Sequence, residues 1–538
     1  MPTTFWNTDV VESPAVVRRR DLLPLIGAAA GGSAMYMAMT ALGHAADSTF
    51  EGPLRLEGNP KGASVLILGA GVAGMVAAME LRQAGYNVSI LEYNERVGGR
   101  TWTIRGGDRF TEMGGLVQDC TFEDGLYINP GPWRIPHHHR AMLHYCKRLG
   151  VALEPFIQVN HNAYLHAAGA FGGRPQRYRE VQADFIGTVS ELLSKAVQRE
   201  ALHDVVRIED AEILLAALRR WGALDKDSRY LAWEGSSERR GWEKPPGGGL
   251  NGRPVPSQPI APSDLLQGRL WRALSVAFDY DLQTTLFQPV GGMDAIARAM
   301  SQRVADVLQL RAKVTAIQQG GDGVSVTWRD TASGEVKQSH ADWCLCTIPL
   351  SVLSQIDINV SPAMTAAINA VPYAAAVKIG LQFRRRFWEE DDGIYGGISY
   401  TDLPITQIGY PAHGYLGGGK GVLLGAYSFG PYAYEFTALD PAERVRRAVA
   451  WGAQIHPQYA TEFDSGVAVG WHRVPWALGC FGQWTDEARD THYRNLCALD
   501  GRILLAGEHA SYLPAWQEGA ALSALDAVNR LHARVMGQ

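Results

Sequence analysis

Four consecutive apolar residues, Val65-Leu66-Ile67-Leu68, break off at a run holding Gly69, Gly71 and Gly74. An uninterrupted apolar run of this length predicts a parallel strand buried on both faces. Behind the glycines, Val76, Met79 and Ala84 lie among a helical run that stops at Gly85, a left-handed cap. A second strand, Val88 to Leu91, follows and ends on Glu92. Strand, glycines, helix, strand and acid thus stand in the register of a dinucleotide-binding unit. The first glycine permits the tight turn, the second lets backbone approach a pyrophosphate, and the third lets the helix pack on the strand. The pyrophosphate would rest on amides at the helix N-terminus, and Glu92 would accept both ribose hydroxyls.

Later segments alternate between further elements. Phe185, Val189, Leu192, Leu193 and Ala196 recur at helical spacing and predict a helical insertion with these residues as its packed stripe. Trp242 to Ser263 is dense in Gly and Pro and reads as a long surface loop or linker. Gly291-Gly292-Met293-Asp294 opens another helix, Leu308 to Ile317 carries strand character, and Asp342 to Ile348 is an apolar strand. Near the end, Ile503-Leu504-Leu505 runs into Ala506-Gly507-Glu508-His509, and a helix begins at Trp516-Gln517-Glu518-Gly519 and continues to about Val535.

Composition narrows the class. A chain of 538 residues, 46% hydrophobic, holds two or three domains with sizeable cores. The formal net charge of -5 leaves no basic footprint for nucleic acid. Six cysteines show no metal-ligand or disulfide spacing, and Cys344 and Cys346 alternate along a strand, sharing one buried face. At the N-terminus, Arg18-Arg19-Arg20 precedes an uncharged stretch from Leu22 to Gly43 and then His44-Ala45-Ala46. This resembles a twin-arginine export signal and implies an exported protein, periplasmic or secreted, or a cytoplasmic one if the signal is unused. The stretch is long enough to span a bilayer, but its small residues and Pro24 argue against stable membrane insertion.

Two motifs identify the nucleotide. Glu95-Arg96-Val97-Gly98-Gly99-Arg100-Thr101-Trp102 follows the second strand, and Gly507-Glu508-His509 precedes Trp516-Gln517-Glu518-Gly519-Ala520. Both resemble the flavin amine oxidase family, which implies FAD as cofactor. The implied fold is α/β, with a Rossmann-type, glutathione-reductase-like FAD domain built from discontinuous segments (60–125, 285–348 and 485–538). A mixed α+β substrate domain (126–167 and 349–484), a helical insertion (175–270, with loop 242–263) and a signal or tail (1–46) complete it. The resemblance places Arg100 near phosphate, Gly114 and Gly115 in the cofactor set, Val314 with its backbone at the adenine, Glu508 at the ribityl or phosphate region, and Trp516 at the flavin face.

Substrate class comes from Gly131-Pro132-Trp133-Arg134-Ile135-Pro136 and from Phe387 to Pro411. Both resemble the L-amino acid oxidases. By that resemblance Arg134 clamps the substrate carboxylate, a task suited to a planar, permanently charged guanidinium, and Tyr410 adds its hydroxyl. Lys378 would hold a water against the flavin's reactive nitrogen; strand alternation alone explains it as a solvated residue opposite Val377, Ile379 and Leu381. Trp516, with Trp133 and Phe429, suggests a large apolar or aromatic pocket with no acid fixed to receive Lys or Arg. His137-His138-His139 makes a poor metal face if it sits on a helix started by Pro136, so no metal is expected. The implied reaction is oxidative deamination of bulky hydrophobic or aromatic L-amino acids by hydride transfer to flavin, giving 2-oxo acid, ammonia and hydrogen peroxide, with oxygen as acceptor and no obvious protein base. An L-amino acid 2-monooxygenase, an amine or polyamine oxidase and a non-catalytic flavoprotein are the alternatives. Relatives imply a dimer or larger homo-oligomer.

Overall fold

The computed structural model describes residues 48–537, so the export-signal reading lies outside the described residues. The opening motif forms β1 (Ser64–Leu68), α1 (Val72–Gln83) and β2 (Asn87–Leu91). Three distant segments join them as β3 (Leu308–Gln309), β4 (Trp343–Cys346) and β5 (Ile503–Leu505), giving a parallel sheet in the order β3-β2-β1-β4-β5. Registers such as Val65 beside Val88 and Leu66 beside Cys344 hold it together.

Both faces of this sheet are buried, as the apolar runs require. Val65, Ile67, Leu345 and Leu504 pack against Met75 and Met79 of α1 and Ala524 and Val528 of α2 (Gln517–Met536). Leu66, Leu68, Cys344, Cys346 and Leu505 face the other way, onto Ile317, Val326 and Trp328. Those last residues belong to an antiparallel layer of Ala312–Gln319, Val324–Asp330 and Val336–Ala341. Cys344 and Cys346 do share one face and are fully buried.

A second, seven-stranded sheet runs in the order Gln176–Arg177, Tyr164–His166, Gly397–Thr401, Gln407–Tyr410, Gly421–Phe429, Ala376–Phe383 and Phe463–Gly470. Its strand Ala376–Phe383 is buried at every position. Val377, Ile379 and Leu381 join a core with Phe387 and Trp388, while Ala376 packs on the opposite face with Tyr427 and Trp471. Lys378 takes the side opposite Val377, as alternation requires. That side is covered too, so the solvated reading of Lys378 fails; it is 2% exposed.

The insertion contains helices Tyr178–Gln198, Ile208–Trp221, Glu234–Arg240 and Pro262–Gln267. Its first helix buries a different stripe from the one the apolar spacing predicts: Val181, Asp184, Gly187, Ser190, Ser194 and Val197 face inward, while Val189 and Leu192 are exposed. Close approach explains the choice. A Cβ on Gly187 would meet the Tyr230 ring at 2.3 Å. The buried Asp184 is satisfied by Arg240 at 2.8 Å, the Tyr230 hydroxyl at 2.7 Å and the Ile260 amide at 2.8 Å. Within the Gly/Pro-rich stretch, Trp242–Lys244 pairs with Val255–Pro256 as a short hairpin. Among the described residues no helix is long and apolar enough to cross a membrane.

Candidate active site

A cavity of ≈ 640 Å³ runs from the glycine turn to the second sheet, walled by Gly69, Gly71, Glu92, Arg100, Val314, Glu508 and Trp516, together with Arg134 and Trp133. At its first end the three glycines play separate parts. Gly69 adopts a left-handed φ of +106°, and a Cβ on Gly74 would lie 1.9 Å from the Gly69 carbonyl oxygen. A Cβ on Gly71 meets nothing within 4 Å. Because Gly71 caps α1 and lines the cavity, any side chain there would fill the space in front of the helix N-terminus. Glu92 stands just past β2 and is 5% exposed. Its carboxylate accepts from the Ala70 amide at 2.7 Å and the Asn94 amide at 2.9 Å, so the acid is aimed by the same turn it serves.

At the other end, Arg100 and Glu508 form an ion pair at 2.7 Å. Burial pulls the Arg100 guanidinium down, and Glu508 more than offsets this, leaving it above its ordinary value. Glu508 also accepts from the amides of Gly482 at 3.2 Å and Ala515 at 3.3 Å. Arg100 donates to the Cys480 carbonyl at 2.8 Å. Trp516 caps α2, and Gln517 and Ala520 of its first turn share the wall. Glu518 turns away and accepts the amides of Ala141 and Met142 at 2.9 and 2.8 Å, pinning α2 to the helix Arg140–Leu149. A glycine cradle at one helix N-terminus, an acid where a ribose would lie, and a second helix N-terminus at the far end fit an extended flavin dinucleotide.

Beside Trp516 lies the substrate end. Arg134 is 3% exposed, with its guanidinium carbon 5.3 Å from the Trp133 ring centre, 5.8 Å from that of Phe156 and 5.9 Å from that of Trp516. Lys378 lies beneath this wall and donates to the Gly131 carbonyl at 2.5 Å. Its ammonium is 4.2 Å from the Tyr427 ring centre and 4.9 Å from that of Trp133. Burial lowers its pKa from 10.5 to about 7.

Four sequence expectations change. Tyr410 is buried away from the cavity, where its hydroxyl meets Ser399 at 2.7 Å and His456 at 2.6 Å. Strand alternation turns its neighbour Gly409 toward Trp133 and Tyr410 toward the opposite core. Gly114 and Gly115 form the exposed turn of the hairpin Arg109–Glu112 and Leu116–Asp119, with φ of 87° and 77°, outside the cavity wall. Phe429 sits behind the wall, with its ring 4.7 Å from that of Tyr427. Tyr427 and Asp281 are among the wall residues that the sequence did not reveal. Only strand pairing brings them there, Tyr427 on its own strand and Asp281 in the turn just before Leu286–Pro289, so a spacing-based reading carries no signal for either. The histidine run also differs from expectation, since Pro136 lies in a short strand and the helix begins at Arg140.

Residues 72–532 match the model of the flavin containing amine oxidoreductase family. An L-amino-acid oxidase of Siganus canaliculatus is 30% identical over 486 residues, covering 88% of this chain and 86% of the relative. An L-amino-acid oxidase of Naja atra is 29% identical over 490 residues, covering 89% of each. Among solved structures, putrescine oxidase bound to putrescine superposes with a TM-score of 0.56 at 17% identity, covering 88% of this chain and 99% of that one. At that identity the likeness shows the shared fold.

Proposed function

The chain belongs to the flavin containing amine oxidoreductase family, with FAD as its cofactor, and from that premise we propose that it oxidatively deaminates L-amino acids with bulky hydrophobic or aromatic side chains. The observation that carries this reading is Arg134. A guanidinium 3% exposed among aromatic rings, on the wall shared with the glycine cradle, selects an anionic group on whatever enters. An α-carboxylate supplies that anion; a simple amine or polyamine does not.

Each wall residue has a part. Arg134 fixes the carboxylate, and Trp133, Tyr427 and Trp516 bound the space for an apolar side chain. Fixing one end of the substrate restricts how its Cα–H bond is presented, which converts an encounter into a near-attack arrangement. Glu92, Arg100 and Glu508 would hold and orient the flavin, which when bound would supply the hydride acceptor for that carbon and a route for its electrons to oxygen. The ammonium proton leaves to water, and the imino acid hydrolyses to 2-oxo acid and ammonia.

The test is anaerobic flavin bleaching with L-Phe, L-Leu, L-Met, L-Lys, L-Glu, D-Phe and putrescine, followed by aerobic product analysis. Bleaching by L-Phe, L-Leu and L-Met with release of 2-oxo acid and peroxide is expected. Amide in place of 2-oxo acid would make the protein a monooxygenase, bleaching by putrescine alone an amine oxidase, and no bleaching by any of these compounds would refute the proposal.

A further inference from the structure

His138, His139 and Asp281 form a buried cluster beside the substrate end of the cavity, 5%, 1% and 1% exposed. The strand Ile135–Pro136 pairs with Leu286–Pro289, Pro136 opposite Leu286, which brings the short turn Tyr280–Leu282 against the histidines. Because the helix starts only at Arg140 and His139 has φ −77° and ψ 70°, the two adjacent histidines are not splayed around a helix. His138 Nε2 lies 3.3 Å and His139 Nε2 3.9 Å from the same Asp281 oxygen, Oδ1. Both carboxylate oxygens of Asp281, both ring nitrogens of His138 and Nε2 of His139 lack a hydrogen-bond partner among the described residues.

A buried carboxylate without hydrogen bonds is costly and calls for a compensating cation. A proton on one imidazole would answer one contact and leave the other nitrogen facing the same oxygen. One ion answers all three side chains. With metal–ligand bonds of about 2.0–2.2 Å, ligand atoms in a tetrahedral site stand roughly 3.3–3.6 Å apart; here the set lies within 4.8 Å, so binding an ion draws it inward by a small side-chain adjustment. Two imidazoles and one carboxylate are a donor set that suits zinc and its neighbours. The rings are already oriented, that of His138 stacked 4.3 Å from Tyr280 and that of His139 edge-on 4.9 Å from Trp516.

We propose that His138, His139 and Asp281 bind one divalent transition-metal ion of the zinc type. Asp281 is itself part of the cavity wall, so the remaining coordination position is open to water or a small ligand entering the cavity. The ion also neutralises the acid that the turn Tyr280–Leu282 brings to the wall, which keeps the pocket suited to apolar side chains.

The test uses the flavin-loaded protein, incubated with Zn²⁺, passed over a weak chelating resin and analysed for zinc per flavin. About one zinc per flavin is expected. D281N should lose that equivalent while keeping its flavin spectrum, and H138Q serves as a second variant should D281N fail to fold. Because six cysteines are also present, the decisive quantity is the difference between wild type and variant. A flavin-loaded wild type that retains no zinc, or a flavin-loaded variant that retains as much as wild type, overturns the proposal. Neither result depends on which substrate is oxidised.

Discussion

Gly409 and Trp133 share one volume: a Cβ on the glycine would stand 2.5 Å from the indole Cζ3. The missing side chain lets the tryptophan pack closely on this strand and form part of the cavity wall. Strand alternation points the next residue the other way, and Tyr410 therefore serves the core. Tyr410→Phe should leave KM for L-Phe within about twofold, because the hydroxyl does not face the cavity. Its loss strips a partner from buried Ser399 and His456, a cost of about 1–3 kcal/mol in stability. A steady-state assay beside a denaturant titration checks both halves; a KM raised more than tenfold with unchanged stability would contradict the placement.

Arg134→Met keeps most of the side-chain volume and removes the charge. Losing a buried, hydrogen-bonded charge partner for a substrate costs about 2–5 kcal/mol, so kcat/KM for L-amino acids should fall roughly 30- to 5000-fold. Flavin content should remain near one per chain, since Arg134 lies at the substrate end. Equal activity in the variant would point to a substrate without a carboxylate.

The glycines separate folding from cofactor binding. Gly74→Ala drives a Cβ to 1.9 Å from the Gly69 carbonyl and should abolish soluble expression or lower Tm sharply. Gly71→Ala meets nothing within 4 Å, so the apoprotein should melt as wild type does while flavin occupancy drops. Flavin absorbance per protein and apoprotein Tm, measured on both variants, test the division.

Lys378 gives a pH signature. With its pKa held at about 7 against 10.5 when unfolded, the unfolded chain binds a proton between those values that the native state refuses. Stability contributed by this site therefore rises with pH across that window, by about 1.4 kcal/mol per unit, and is flat below it. Lys378→Met should lack the rise, so the Tm gap between the two proteins should change steadily from pH 7 to 10. Parallel curves would show that the lysine stays charged.

What the sequence made legible was local. In β1, α1 and β2 the strand, turn and helix constraints all fall within one short stretch, and Glu92 follows directly from them. Arg134 is legible because its neighbours form a recognisable motif, and it lies on the wall. Tyr427 and Asp281 reach the same wall through long-range pairing, which no local spacing encodes. The first insertion helix misled for a different reason. Its inward face uses Gly187, Ser190 and a paired Asp184 to allow close approach, so hydrophobicity marks the wrong side.

The cavity takes its walls from Gly69 and Gly71 near one end of the chain and from Glu508, Trp516 and Gln517 near the other. During synthesis at about 5–20 residues per second, roughly 20–90 s pass between the emergence of the two halves. Until then β4 has no β5 beside it, and its apolar edge Cys344-Leu345-Cys346 is an open template for misplaced strands. The complete cradle therefore exists only once the chain has been made through Gln517, and the edge of β4 is the segment most open to mispairing until β5 arrives.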